Sequence, residues 1–306
     1  MTKRETSGTE ITARVAVVLT CHNRRDATLK SLRYLFAQDL PPQTFISAFL
    51  VDDGSSDGTG AAVAEEFPQV TLFPGSGSLY WSGGMRLAFG EALKRDFDYF
   101  FWLNDDALLE PGAIARLIGT HRRLAVDGRE CSIIVGAFTD PDTGDLTYGG
   151  VVRSSQVHPL KFRLVPLSDE PQLCDAANGN AVLIPASVAR MAGNLEPGFR
   201  HGMGDFDYCL RAQKLGCSAW AAPGAVGTCR RNGVRNSWKD PQLAFGKRVR
   251  CIFNIKGLPF REYSRFARLH GGALWPVFCV LPYMRMFMES LSVSFHPKLN
   301  SKQKVA

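Results

Sequence analysis

Asn104-Asp105-Asp106 concentrates more chemistry than any other stretch of this chain. Two adjacent carboxylates repel each other unless something positive is bound between them, and a divalent cation carrying a diphosphate is a natural occupant. The triplet follows the apolar run Tyr99-Phe100-Phe101-Trp102-Leu103. A run of that length, bounded by a polar cluster, reads as a buried strand. The carboxylates then fall just past the strand's carboxyl end, where open α/β sheets bind ligands. The competing reading makes Asp105 or Asp106 the cap of a helix that opens near Pro111.

Two more strands end in the same manner. Residues 14–20 form an apolar run that passes into Cys21-His22-Asn23-Arg24, followed by a helix from about Asp26 with Leu29, Leu32, Leu35 and Phe36 on one face. Residues 45–51 form a third run, ending in Asp52-Asp53-Gly54-Ser55-Ser56-Asp57-Gly58-Thr59. Strands that alternate with helices imply an α/β fold with a mixed, mostly parallel sheet, and they place these three loops along one edge. Gly75, Gly77, Gly83 and Gly84 lead into a further helix, where glycines suit phosphate contact and Arg86 can reach a diphosphate or form a surface ion pair. No GxGxxG follows the first strand, which argues against a dinucleotide-dependent oxidoreductase. The same loop lacks the glycines with which a nucleotidyltransferase usually opens, so that alternative is weakly supported.

Four blocks, taken in order and spacing, resemble the family 2 inverting glycosyltransferases of the GT-A fold. They are residues 17–24, 51–59 and 103–106, and Gly202-Met203-Gly204-Asp205-Phe206-Asp207-Tyr208-Cys209-Leu210-Arg211. Leu79-Tyr80-Trp81-Ser82-Gly83-Gly84 is similar to bacterial rhamnosyl-, galactofuranosyl- and related polysaccharide transferases. The resemblance implies a Rossmann-like catalytic domain over residues 12–228. In it Thr20, His22, Asn23, Arg24, Asp52, Asp53, Asn104 and Asp105 frame the nucleotide, with Asp53 at the base. Asp106, assisted by Asp105, would hold Mg²⁺ or Mn²⁺. Trp81, Gly83, Arg86 and Asn180 would lie along the diphosphate and donor sugar. Asp205 takes the place of the general base, with a helix N-cap as its competing role. Asp207 stands four residues before Arg211 and pairs with it on a helix. His22 and His201 are isolated histidines of the kind that is usually structural.

The chain departs from that pattern at three places. Asn104 and Gly204 replace an Asp and a Glu. The stretch after the acceptor motif, Ala225-Val226-Gly227-Thr228-Cys229-Arg230-Arg231-Asn232, lacks a His that often completes the metal site. Either Cys229 stands near that position, or Arg230 and Arg231 neutralise the diphosphate in its stead.

Composition is that of a globular chain: 306 residues, 45% hydrophobic, with eight scattered cysteines and no CxxC pair. Buried, reduced thiols are expected. The first fourteen residues are polar and carry no signal-peptide core. Charge is divided unevenly. Residues 229–306 hold fifteen Lys or Arg and three Asp or Glu, a net of +12, which leaves −5 for residues 1–228. Phe260, Tyr263, Phe266, Leu269, Leu274, Trp275, Phe278, Leu281, Tyr283, Met284 and Phe287 interleave with this charge. Residues 273–284 are apolar but too short to span a bilayer, and they include Pro276 and Pro282. A basic, helical, amphipathic C-terminal extension at an anionic membrane surface is the expectation. An oligomer interface such as a homodimer, or a helical cap, is the bland alternative. Nucleic acid is not expected, since no helix-turn-helix, zinc or stacking-sheet signature accompanies the charge. These expectations amount to a cytoplasmic, membrane-peripheral enzyme. It would move a sugar from a UDP- or dTDP-sugar to a glycan or lipid-linked glycan. A catalytically decayed domain serving as a membrane-binding module is the non-enzymatic alternative.

Overall fold

The structure, a computed structural model, describes residues 13–295; residues 1–12 and 296–306, and with them the outer ends of both expected regions, lie outside the described residues. The first half runs β1 (Ala13–Cys21), α1 (Arg25–Phe36), β2 (Thr44–Asp52), α2 (Thr59–Glu66), β3 (Thr71–Pro74), α3 (Tyr80–Ala92), β4 (Tyr99–Leu103), β5 (Leu108–Leu109), α4 (Ala113–Val126) and β6 (Ser132–Thr139). It continues through β7 (Leu146–Tyr148), β8 (Gly150–Arg153), β9 (Phe162–Leu164), β10 (Gln172–Cys174), β11 (Ala176–Ala177), β12 (Ala181–Pro185), α5 (Ala186–Ala192), α6 (Gly204–Lys214) and β13 (Ser218–Thr228). Three helices come last: α7 (Phe245–Phe253), α8 (Phe260–His270) and α9 (Trp275–Phe295).

The main sheet has the order β10-β13-β6-β12-β4-β1-β2-β3. β1, β2, β3 and β4 pair in parallel. β12 runs antiparallel to both β4 and β6, and β13 runs parallel to β6. The sheet is therefore mixed and mostly parallel, as the alternation of elements predicts. Register fixes what meets at its working edge. Cys21 pairs with Asp52, Leu103 with Ala181, and Thr139 with Thr228. The ends of β1, β2, β4, β6 and β13 and the start of β12 thus share one edge. A small sheet of β11, β8 and β9 stands apart.

Helices cover both faces because the central strands are apolar on both sides. On β1, Val15, Val17 and Leu19 join a core with Leu32 and Leu35 of α1, Val63 of α2, and Ile114 and Leu117 of α4. Ala16 and Val18 face the other way, into a core with Met85 and Phe89 of α3 and Tyr208 of α6. Trp102, fully buried in that second core, meets the rings of Phe89 and Tyr208 at centroid distances of 5.6 and 4.9 Å. Truncating such a residue to alanine costs about 3–5 kcal/mol.

The break expected at residue 228 coincides with the end of β13, but the helices beyond it pack into the same core. Tyr263, Phe266 and Ala267 of α8 and Cys279 of α9 belong to the α3–α6 cluster. Pro282 inside α9 has no N–H to give the carbonyl one turn back. The Tyr263 hydroxyl donates to that carbonyl, on Phe278, at 3.3 Å. No helix among the described residues is long and apolar enough to cross a membrane.

The apolar side chains of this extension divide differently from the expected interleaving. Phe278 is buried and stacks on His158 at 4.4 Å. Tyr283 is partly buried and its hydroxyl donates to the Leu258 carbonyl. The exposed stripe of α9 is instead Val277, Val280, Leu281, Met284 and Phe287. Its spacing is that of one helix face.

Candidate active site

The three loops read from the sequence meet. Thr20, Cys21, His22, Arg24, Asp53, Gly77, Tyr80, Trp81, Asp105 and His201 line a cavity of about 440 Å³, closed on one side by Asn254 and Lys256. That volume suits a small organic ligand.

Arg24 pairs with both members of the acidic pair. Its guanidinium donates to Asp105 at 2.9 Å and to Asp106 at 2.8 Å, one nitrogen to each carboxylate. Asp105 is buried, and burial pushes its carboxyl up to about 7, against the pull of Arg24. Asp106 keeps an exposed edge, with its side chain 22% accessible. Neither carboxylate caps α4, whose N-cap is Gly112 with no side-chain bond. The helix-start reading of the triplet is thereby set aside.

Asn104 accepts the indole N–H of Trp81 at 2.7 Å. The residue that departs from the all-aspartate pattern thus fixes an aromatic wall of the cavity. Asn180, also buried, directs its amide at the Cys229 sulfur, 3.5 Å away. Cys229 in turn donates to Asp106 at 3.7 Å. Burial pushes this thiol up to about 12, so it stands beside the acidic pair as a neutral group. Of the two readings of residues 225–232, the one that brings Cys229 to the acidic pair matches the geometry. Arg230 pairs with Asp142 at 2.8 Å and is largely exposed, Arg231 is exposed, and neither lines the cavity. The cations that do line it are Arg24 and Lys256.

The nucleotide-side residues hold one another in place. Asp53 is buried and accepts the backbone N–H groups of Gly77 at 2.8 Å and Tyr80 at 2.9 Å. This fastens the glycine-rich loop to the end of β2. Tyr80 has φ of 56°, an uncommon value for an aromatic residue, and the bond from Asp53 helps to hold it there. Asp52 accepts the N–H of Ser55 at 3.0 Å. Asn23 accepts from the backbone and hydroxyl of Ser56, stitching the β1 loop to the β2 loop. His22 Nδ1–H donates to the Asp53 carbonyl at 2.6 Å, and the Thr20 hydroxyl donates to Val51 at 3.2 Å. Gly83 gives its N–H to the Arg200 carbonyl at 3.2 Å. Arg86 lies exposed on α3, outside the cavity lining.

Asp205 is half-buried and does not line the cavity. It lies in the first turn of α6, one residue inside the helix rather than at its N-cap, Met203. One carboxylate oxygen accepts the Gly179 N–H at 2.9 Å and the other the N–H of Phe206. Burial pushes the carboxyl up to about 6. Gly179 packs flat on Trp81; a Cβ there would lie 2.3 Å from the indole. The order Asp205, Gly179, Trp81, Asn104 thus links α6 to the strand end. Gly204 is explained similarly, since a Cβ on it would meet the Ser82 hydroxyl at 2.6 Å, leaving no room for a Glu. Asp207 is fully buried and pairs with Arg211 at 2.8 Å as its spacing requires. It also pairs with His270 of α8 at 2.8 Å, which the sequence does not announce.

The sequence profile described as Glycosyl transferase family 2 matches residues 16–183, more than half of the chain. The chain belongs to that family and is a nucleotide-sugar glycosyltransferase. No curated protein matches it. Similar solved structures include the mannosyltransferase PcManGT from Pyrobaculum calidifontis in complex with GDP-Man and Mn²⁺. It is 16% identical at a TM-score of 0.57, over 95% of this chain and 77% of that one. GalNAc-T7 with UDP, GalNAc and Mn²⁺ is 14% identical at a TM-score of 0.55, over 94% of this chain and 58% of that one. At these identities the likeness is one of fold.

Proposed function

We propose that the chain is an inverting hexosyltransferase of the bacterial rhamnosyl- and galactofuranosyl-type group. It would transfer the sugar of a UDP- or dTDP-sugar to a hydroxyl of a glycan or lipid-linked glycan in surface polysaccharide synthesis. The observation that carries this reading is the Arg24–Asp105–Asp106 cluster at the end of β4, with Arg24 and Asp105 lining one cavity with Asp53, Trp81 and Lys256. A cavity with acidic and cationic groups at a strand edge suits a nucleoside diphosphate and its counter-ion.

Thr20, Asp52, Asp53 and the loop of Gly77 would frame the base and ribose. Lys256 and Arg24 would neutralise the diphosphate, and Trp81 and Asn180 would flank the donor sugar. Among the described residues no group of three His, Cys, Asp or Glu is arranged to hold a metal alone. Two carboxylates, one with an exposed edge, do fit Mg²⁺ or Mn²⁺ whose other ligands are phosphate oxygens and water. Asp106 and Asp105 would hold it, and when bound it would stabilise the departing diphosphate. Both structural neighbours carry Mn²⁺, which supports this choice. Asp205 would accept the proton of the acceptor hydroxyl as that oxygen attacks the anomeric carbon and the bond to the diphosphate breaks. A carboxyl pushed up to about 6 by burial is a serviceable base near neutral pH.

The basic extension supports peripheral docking at the inner face of the cytoplasmic membrane. Its apolar stripe on α9, from Val277 to Phe287, lies on a region of net +12. Sedimentation with anionic and neutral liposomes tests this. Salt-sensitive binding to anionic liposomes is expected, and a dimer that buries the stripe is the alternative outcome. The transfer reading is tested by incubating the enzyme with nucleotide sugars and Mn²⁺ and assaying nucleoside diphosphate release, with the anomeric configuration of the product read by NMR. A decayed domain releases none.

A further inference from the structure

A second cavity, of about 490 Å³, lies between residues 197–200 and α8, and four arginines line it: Arg200, Arg261, Arg265 and Arg268. Helix α8 is amphipathic in a way that explains this. Tyr263, Phe266, Ala267 and His270 are buried against the body of the protein. Arg261, Arg265 and Arg268 then fall at i, i+4 and i+7 on the outward face. Three like charges on one helix face oppose helix formation. Two of the four cleft arginines are neutralised: Arg200 donates to Glu262 at 2.8 Å and Arg265 to Glu196 at 2.6 Å. Arg261 and Arg268 form no ion pair among the described residues. Arg265 also lies across Gly198, where a Cβ would come within 2.6 Å of its Nε, and that buried Nε–H has no hydrogen-bond partner. The cleft is a fixed arrangement of donors with a surplus of positive charge and one unused buried donor. Planar guanidinium forks match phosphate oxygens in just this way.

Position says which phosphate. Residue 200 lines this cleft and residue 201 lines the nucleotide cavity. The same segment leads within five residues to Asp205. The donor's diphosphate belongs with Arg24 and Lys256 on the other side of that segment. Trp275, at the start of α9, also lines the cleft.

Resting on the reading of the chain as a transferase to lipid-linked glycan, we propose that Arg200, Arg261, Arg265 and Arg268 bind the phosphate groups of the lipid-linked acceptor. The glycan hydroxyl would lie toward Asp205.

The test is calorimetric titration with farnesyl diphosphate, inorganic diphosphate and phosphatidylglycerol vesicles, on wild type, Arg261→Gln/Arg268→Gln and Arg261→Lys/Arg268→Lys. Both substituted arginines are exposed and form no ion pair among the described residues, so thermal unfolding should match wild type. Farnesyl diphosphate should bind wild type at a site lost or weakened roughly tenfold or more in the Gln variant. The Lys variant should bind at an intermediate level. Equal binding by wild type and the Gln variant overturns the proposal. Inorganic diphosphate binding as tightly as farnesyl diphosphate overturns its lipid part. Vesicle binding that depends on Arg261 and Arg268, with no competition from farnesyl diphosphate, assigns the cleft to membrane headgroups and overturns its acceptor part. Nucleoside-diphosphate binding, measured on the same samples, should be unchanged in both variants. Its absence from wild type as well counts against the transferase reading, separately from the cleft.

Discussion

His270 of α8 donates from Nε2 to Asp207 of α6 at 2.8 Å, with both side chains at most 1% exposed. The bond ties the basic C-terminal region to the helix that carries Asp205. Arg211 holds the other oxygen of the same carboxylate. A carboxylate this deeply buried needs both partners.

His270→Ala should therefore destabilise the protein by about 3 kcal/mol, the usual cost of leaving a buried charge short of a partner. Urea unfolding measures this. Removing an exposed pair such as Arg33–Glu66 by Arg33→Ala should leave the unfolding midpoint close to that of wild type in the same assay.

Asp205→Asn should lower kcat by roughly 10²-fold or more, with donor affinity almost unchanged. The pH profile carries a sign. Burial raises this carboxyl to about 6, and the base must be ionised, so kcat/KM should climb with pH and level off above about 6. The folded state holds the proton more tightly than the unfolded chain from the ordinary carboxylate range up to about 6. The contribution of this group to stability therefore falls as pH rises through that window. Asp205→Asn should weaken the dependence, with Asp105, raised by burial to about 7, keeping the remainder, and unfolding midpoints at pH 4, 5, 6 and 7 would reveal this.

The part of this molecule legible in its sequence is the part encoded locally. β1, β4 and residues 48–51 of β2 are apolar runs because both faces are buried there, and each strand ends in a polar loop that the sheet brings to one edge. The positions of Asp53, Asp105 and Asp106 followed from that alone. The partners of those residues did not. Arg24 meets Asp105 across 81 positions, and Cys229 meets Asp106 across 123. No local period encodes such pairings. Arg230 and Arg231 were reasonable candidates by charge, yet the chain turns after β13 and gives Arg230 to Asp142. Lys256 and Asn254 reach the cavity from the extension, in a loop with no motif of its own. The short strands β5 and β7 to β11 carry too few residues for alternation to register. In the extension, α8 and α9 each have an inward apolar face. Composition alone did not separate those buried residues from the exposed stripe.

Cys229→His places an imidazole beside Asp106, where the thiol now stands 3.7 Å away. Imidazole is a better ligand for Mn²⁺ than a neutral thiol held at a pKa of about 12. Mn²⁺ titration in the presence of a bound nucleotide should show tighter binding in this variant than in wild type. Cys229→Ser should leave it close to wild type.

The account rests most heavily on a nucleoside-diphosphate site at the acidic pair. Thermal unfolding against a panel of UDP-, dTDP- and GDP-sugars with Mn²⁺, on wild type and Asp106→Asn, tests it directly. A ligand that binds only the native state raises the melting temperature. At least one nucleotide sugar should raise that of wild type, and the rise should vanish or shrink sharply in Asp106→Asn and in excess EDTA. A panel that shifts nothing, or a shift of equal size in Asp106→Asn, would contradict the account.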